Sequence, residues 1–157
     1  MTQYIKQRDK FRCGPVAVLN SLRWAGANVS TNYVYELSEK CKTRPFGYGG
    51  TSHHDFDRVM RKEGGELFKA DLILKPRINE IEEHLKKGGA LVLNYAWGKH
   101  RHFVLLTEVS ETGKTFAMIN DFANRPAVVK VRRKTFIERC LMHRNDEDAK
   151  AWLLTKV

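Results

Sequence analysis

The apolar residues of this 157-residue chain change their period once, at Gly88-Gly89, and that switch limits the fold more than any other feature. Ahead of it they recur at three- and four-residue intervals, the spacing of one helix face. Val18, Leu19, Leu22 and Ala25 predict a helix from Gly14 to Ala25, with Pro15 suited to its first turn and Gly26 to its end. A short helix is expected over Asn32 to Cys41, behind the cap candidates Ser30 and Thr31. Thr51 or Ser52 opens a third, which carries Phe56, Val59 and Met60 and stops at Gly64-Gly65. Arg77 to Lys87 gives a fourth, with Ile78, Ile81 and Leu85 in register. Beyond the switch, "ALVLNYAW", "HFVLLTEV", "TFAMIND" and "AVVKVRR" are short and rich in β-branched and aromatic residues, the composition of strands. Glu111-Thr112-Gly113-Lys114 fits a hairpin turn between the middle two. A brief helix around Thr135 to Leu141 and a closing strand, "AWLLTKV", end the chain. Helices first and strands second predict an α+β domain, helices packed on an antiparallel sheet. Neither a repeat nor a linker interrupts the pattern, so residues 1–157 read as a single domain.

With 42% hydrophobic and 29% charged residues the chain can fill a core, which excludes a disordered protein. No apolar run approaches the roughly 18 residues that cross a bilayer. The first dozen residues are polar and basic with no apolar signal region, so a cytoplasmic location is expected. Cys13, Cys41 and Cys140 are odd in number and scattered, which favours free thiols over a disulfide framework. A formal charge of +10 raises affinity for an acidic partner, an anionic surface or nucleic acid. Its densest patch, Lys130 to Lys134, reads as a solvated face, and no RNA-binding or zinc-finger signature accompanies it. Nucleic acid is therefore not the expected partner. Cys140 with His143, His53 with His54, and His100 with His102 lack zinc-site spacing, so neither a metal nor another cofactor is expected.

Chemistry concentrates at "QRDKFRCGPVAVLNSL". A thiol is a strong nucleophile only as a thiolate, and a helix N-terminus stabilises that charge. Cys13 stands at such an end. Its own N–H, free as in any first turn, can be one donor to an oxyanion, and the Gln7 side-chain amide can be a second. His102 opens an apolar strand that would hold its ring as a base. The imidazole needs a group on its other nitrogen, and a hairpin brings the end of "TFAMIND" beside it. Strand alternation puts only one of Asn120 and Asp121 on the His102 face, and leaves open which.

Gln7, Cys13-Gly14, His102-Phe103-Val104 and Asn120-Asp121 stand in the order and rough spacing of papain-like cysteine peptidases. The chain most resembles the bacteriocin-processing, double-glycine-leader peptidases and their stand-alone relatives. The likeness covers nearly the whole chain, including the "GTS..D" loop and the helix before "GGALVLNY". It implies a papain-like fold, Cys13 as nucleophile, His102 as general base and acid, Asp121 as orienting group and Gln7 as oxyanion donor. The substrate it implies is a peptide or protein, cleaved through an acyl-enzyme on Cys13; peptidase, isopeptidase and acyl-transfer activities stay open. Two positions depart from the pattern: Arg12 stands where the family often has Asp, and Phe122 where it has Pro.

The Gly- and aromatic-rich loops "FGYGG" and "NYAWGKHRH" are candidate cleft walls for an extended peptide, with Gly14, Tyr48, Gly49 and Trp97 as binding residues. The competing reading is a non-catalytic domain of the same fold that binds a peptide, acidic partner or nucleic acid through its basic surface.

Overall fold

In the computed structural model, six antiparallel strands form one sheet in the order β1-β6-β2-β3-β4-β5. The structure describes residues 2–45, 50–97, 100–121, 125–141 and 149–157, and at Trp97 the backbone only. The strands are β1 (Phe68–Leu74), β2 (Ala90–Trp97), β3 (His100–Val109), β4 (Thr115–Ile119), β5 (Val128–Arg132) and β6 (Lys150–Lys156). Helices α1 (Cys13–Trp24), α2 (Tyr33–Lys40) and α3 (His53–Gly64) precede the sheet's centre, and α4 (Ile78–Lys86) stands between β1 and β2. Helix α5 (Arg133–Phe136) runs on into a π-turn, Ile137–Leu141. No described helix is long and apolar enough to cross a membrane.

The α+β expectation holds, and α1 to α4 fall where the helical spacing puts them. Ser52 caps α3 by accepting a hydrogen bond from the Asp55 N–H at 3.1 Å. Gly113 takes the left-handed turn conformation, φ +73°, between β3 and β4. One strand has no counterpart in the sequence reading. β1 is an edge strand in which Phe68 and Ala70 are buried while Leu72 and Leu74 are exposed. Its apolar residues therefore give no clean alternation, and its partner is β6 at the far end of the chain, with Phe68 opposite Lys156 and Leu74 opposite Lys150.

The central strands are covered on both faces, which explains the unbroken apolar runs "ALVL" and "FVLL". Phe103 and Leu105 join the core made with α1, α2 and α3, whereas Val104 and Leu106 join a second core beneath α4 and α5. Helix α1 is buried along almost its whole length. Inside it, Asn20 ties down the leading segment by accepting from the Ile5 N–H and donating to the Ile5 carbonyl, both at 2.9 Å.

Candidate active site

Register decides what meets Cys13. β3 pairs with β2 from His100 to Leu106, His102 opposite Tyr95, but with β4 only from Leu105 onward. The first residues of β3 thus have a free edge toward the head of α1, and there His102 hydrogen-bonds the Cys13 sulfur. The thiol is 6% exposed. Burial alone would push its pKa up; the His102 hydrogen bond and charge, with the N–H groups of Phe103 and Gly14, bring it below the ordinary thiol value. Burial alone would likewise push His102 down. The sulfur, the Asn120 carbonyl and the charge of Asp121 raise it above the ordinary imidazole value instead. Both shifts favour a thiolate–imidazolium pair. At Cys41 and Cys140 burial outweighs the neighbours that favour a thiolate, Arg58 for the first and Arg139 and Tyr95 for the second, and pushes each up to about 12.

The group on the other nitrogen of His102 is main chain. Nε2 donates to the Asn120 carbonyl at 2.8 Å, leaving Nδ1 to face the sulfur. Asn120 closes β4 in the left-handed conformation, φ +63°, which Asn tolerates better than other side-chain-bearing residues. Its buried amide then faces the opposite way, toward Gln7: Nδ2 donates to Gln7 Oε1 at 2.8 Å and Oδ1 accepts from the Gln7 N–H at 2.9 Å. Gln7 Nε2 donates one hydrogen to the Asp9 carbonyl at 2.7 Å.

Asp121 is 1% exposed and lies beside the ring without a hydrogen bond to it. Its carboxylate accepts from Arg139 of the π-turn at 3.0 Å and, more weakly, from the Tyr95 hydroxyl at 3.4 Å. The Tyr95 ring meets His102 edge-on, with centroids 5.8 Å apart. Asp121 thus acts on the imidazole through space, and the hydrogen bond belongs to its neighbour's backbone.

Around Cys13 the loops are tied to one another. Asp9 Oδ1 accepts from the N–H groups of Phe11 and Arg12, fixing the turn into α1. Arg12 returns its guanidinium to Asp9, reaches Ser38, and lies over the rings of Phe11 and Tyr35. Gly14 is needed for a close approach: a Cβ there would lie 2.7 Å from Thr51 Oγ1. The space beside Gly14 is therefore filled by the protein's own chain. The Trp97 backbone pairs with that of His100 at the end of the β2–β3 ladder; Tyr48 and Gly49 lie outside the described residues. His53 Nε2 donates to Asn94 Oδ1, 2.6 Å away. Among the described residues, no three His, Cys, Asp or Glu side chains cluster as metal ligands.

No protein-family model matches this chain, and no curated protein matches it. Solved structures do. The peptidase domain of Streptococcus ComA, a bifunctional ABC transporter of a quorum-sensing pathway, superposes with a TM-score of 0.71 at 16% identity, covering 98% of each chain. The chain has the fold of the C39 peptidase domains. A C39-like peptidase from Bacillus anthracis gives a TM-score of 0.67 at 16% identity, over 99% of this chain and 96% of that one. The Streptococcus mutans ComA peptidase domain gives 0.55 at 13%, over 96% and 97%. The likeness covers nearly the whole chain.

Two features of the site carry no signal in the sequence. The Phe103 N–H reaches the sulfur only because β4 stops short of it, and the Asn120 carbonyl reaches His102 only through a positive φ.

Proposed function

We propose that this protein is a thiol peptidase or isopeptidase that works through an acyl-enzyme on Cys13. The observation that carries the reading is the buried Cys13–His102 pair at the head of α1, with the thiol lowered and the imidazole raised. The thiolate attacks the carbonyl carbon of the scissile bond. The oxygen takes up negative charge between the Cys13 N–H and the second Nε2 hydrogen of Gln7. As the tetrahedral adduct collapses, the C–N bond breaks and His102 gives its proton to the departing amine. A water molecule then attacks the thioester, His102 takes its proton, and the carboxylic acid leaves as the thiolate returns.

Asn120 has a double role in this scheme. Its carbonyl fixes the tautomer and orientation of His102, and its amide aims Gln7. Asp121 stabilises the imidazolium through space while its ion pair with Arg139 holds the corner at 120–121 in place. The same groups would serve peptide, isopeptide or acyl-transfer substrates, since all three present a planar acyl carbon to the sulfur. Trp97 and the loop holding Tyr48 and Gly49 are proposed cleft residues.

A peptidyl electrophile, such as a vinyl sulfone or acyloxymethyl ketone, tests the reading. It should attach once per chain, at Cys13 by mass spectrometry, and Cys13→Ala should abolish attachment while the folded spectrum persists. Attachment spread over Cys41 and Cys140, or none at all, would remove the enzyme reading.

A further inference from the structure

We propose that the peptide accepted at this site is acidic, carrying several carboxylates close to the bond that is cut. The inference rests on the thiol-hydrolase reading above and names its substrate class.

The mouth of the site is built from segments that touch one another around Cys13. The 6–12 loop leads into the cysteine and is clamped by Asn120. Residues 43, 50 and 51 lie against it: Thr43 bonds Thr51, Thr51 packs on Gly14, and Gly50 approaches the Phe11 carbonyl. The corner at 120–121 and the start of β3 complete the ring through His102. Six exposed cations stand on these segments or just beyond them: Lys6, Arg8, Lys10, Lys42, Arg44 and Arg125. None of the six forms an ion pair among the described residues. The two carboxylates on the same segments are already spent, Asp9 on Arg12 and Asp121 on Arg139. Lys42 lies within electrostatic range of Asp55, but that carboxylate is bonded to Arg58.

Exposed cations without an ion pair also occur elsewhere, Lys62, Lys75, Lys114 and Arg132 among them, but there they share the surface with paired charges, whereas the described residues of the segments around Cys13 hold no free carboxylate. Lys40 meets Glu63, Arg61 meets Asp57, and Lys86 and Arg133 share Glu82. The six cations are part of a net +10 for the whole chain, and the segments that carry them adjoin Cys13. Like charges on adjoining segments repel one another and add nothing to folding, so an outside anion is what they fit. Such a field reaches about 8–10 Å at physiological salt, far enough to draw in carboxylates several residues from the scissile bond. A nucleic acid would satisfy the charge but offers no acyl carbon to the sulfur at its centre. An acidic peptide satisfies both.

Three peptidyl vinyl sulfones with one reactive end, differing only in whether the flanking residues are Glu, Gln or Lys, provide the test. The rate of Cys13 attachment is read at 25 and 300 mM salt. The Glu probe should react at least ~10-fold faster than the Gln probe at low salt, with the Lys probe slowest, and the advantage should shrink several-fold at high salt. The Glu-to-Gln ratio should collapse in the Lys10→Glu, Arg44→Glu double variant. Lys6→Glu with Arg125→Glu is the second pair if the first does not fold. Equal rates for Glu and Gln probes in the native protein, or a preference that survives both charge reversals, would overturn the acidic class and leave the hydrolase reading standing. Protection of Cys13 from the Gln probe by an RNA oligonucleotide, with no Glu preference, would assign the surface to nucleic acid instead. Failure of all three probes to attach would remove the hydrolase reading and this proposal with it.

Discussion

Asn120 and Gln7, 113 positions apart, hold each other through two reciprocal hydrogen bonds of 2.8 and 2.9 Å. The same Asn120 accepts His102 Nε2 on its carbonyl. One residue therefore joins the oxyanion side of the site to the base side, by its amide on one hand and its backbone on the other.

Removing only the amide separates the two roles. Asn120→Gly keeps the positive φ without strain and keeps the carbonyl. Turnover should fall ~10²-fold, about as far as in Gln7→Ala, because the loss in both is one oxyanion donor. The Gln7→Ala, Asn120→Gly double variant should be no worse than either single one, while the pH profile of Cys13 alkylation stays where it was. Multiplying losses in the double variant would show that Asn120 does not act through Gln7. The unpaired Gln7 groups should also cost about 1–3 kcal/mol in denaturant unfolding.

Alkylation by iodoacetamide should be selective. At pH 6 to 7 Cys13 should react well ahead of Cys41 and Cys140, whose thiols are held at about 12 by burial. Peptide mapping after partial labelling reads the order. Comparable rates at all three would contradict the thiolate–imidazolium pair.

The pH dependence of kcat/KM should be a bell whose limbs belong to the pair jointly. On the acid side, activity is lost as the thiolate, whose folded pKa is lowered, takes a proton; the fall begins only well under the ordinary thiol value. On the alkaline side, activity is lost as the imidazolium gives up its proton, above the ordinary imidazole value because His102 is raised. A steady-state profile that simply climbs toward pH 9 would mean an unpaired thiol.

Asp121→Asn should move the alkaline limb to lower pH, since the charge that helps raise His102 is gone. The hydrogen bond to Nε2 remains, so turnover should drop far less than in His102→Ala. Arg139 loses its counter-ion in a region where its side chain is 20% exposed, for a cost of about 2–3 kcal/mol, short of the full penalty at a wholly buried site. Thermal denaturation and a pH profile on the same variant decide the matter: total inactivity at native stability would mean that Asp121 contacts the ring directly.

Gly14→Ala should cost about 1–3 kcal/mol, because Thr51 must shift out of the new methyl group's way. Thr51→Gly in the same chain should recover part of the loss. No recovery would place the strain in α1 rather than at this contact.

Much of this was legible in order along the chain. The change of period at Gly88-Gly89 announced helices then strands, because local spacing alone sets which face of a helix or strand is apolar. A cysteine before a Gly-Pro helix start, and a histidine leading an apolar strand, marked the chemical pair, because a helix end and a strand end are places that hold a side chain rigidly. What the sequence left open was settled by contacts between distant segments. β1 exists because β6 returns to pair with it, and an edge strand with Asp71 at its centre shows no period of its own. Asn120 and Asp121 could not be told apart by alternation, since a positive φ breaks the alternation at that very residue. Arg139 comes to Asp121 from a π-turn 18 positions on, and takes up the carboxylate that adjacency alone would give to His102. Local periodicity specifies elements; which buried polar groups become partners is decided only when packing leaves each of them without water.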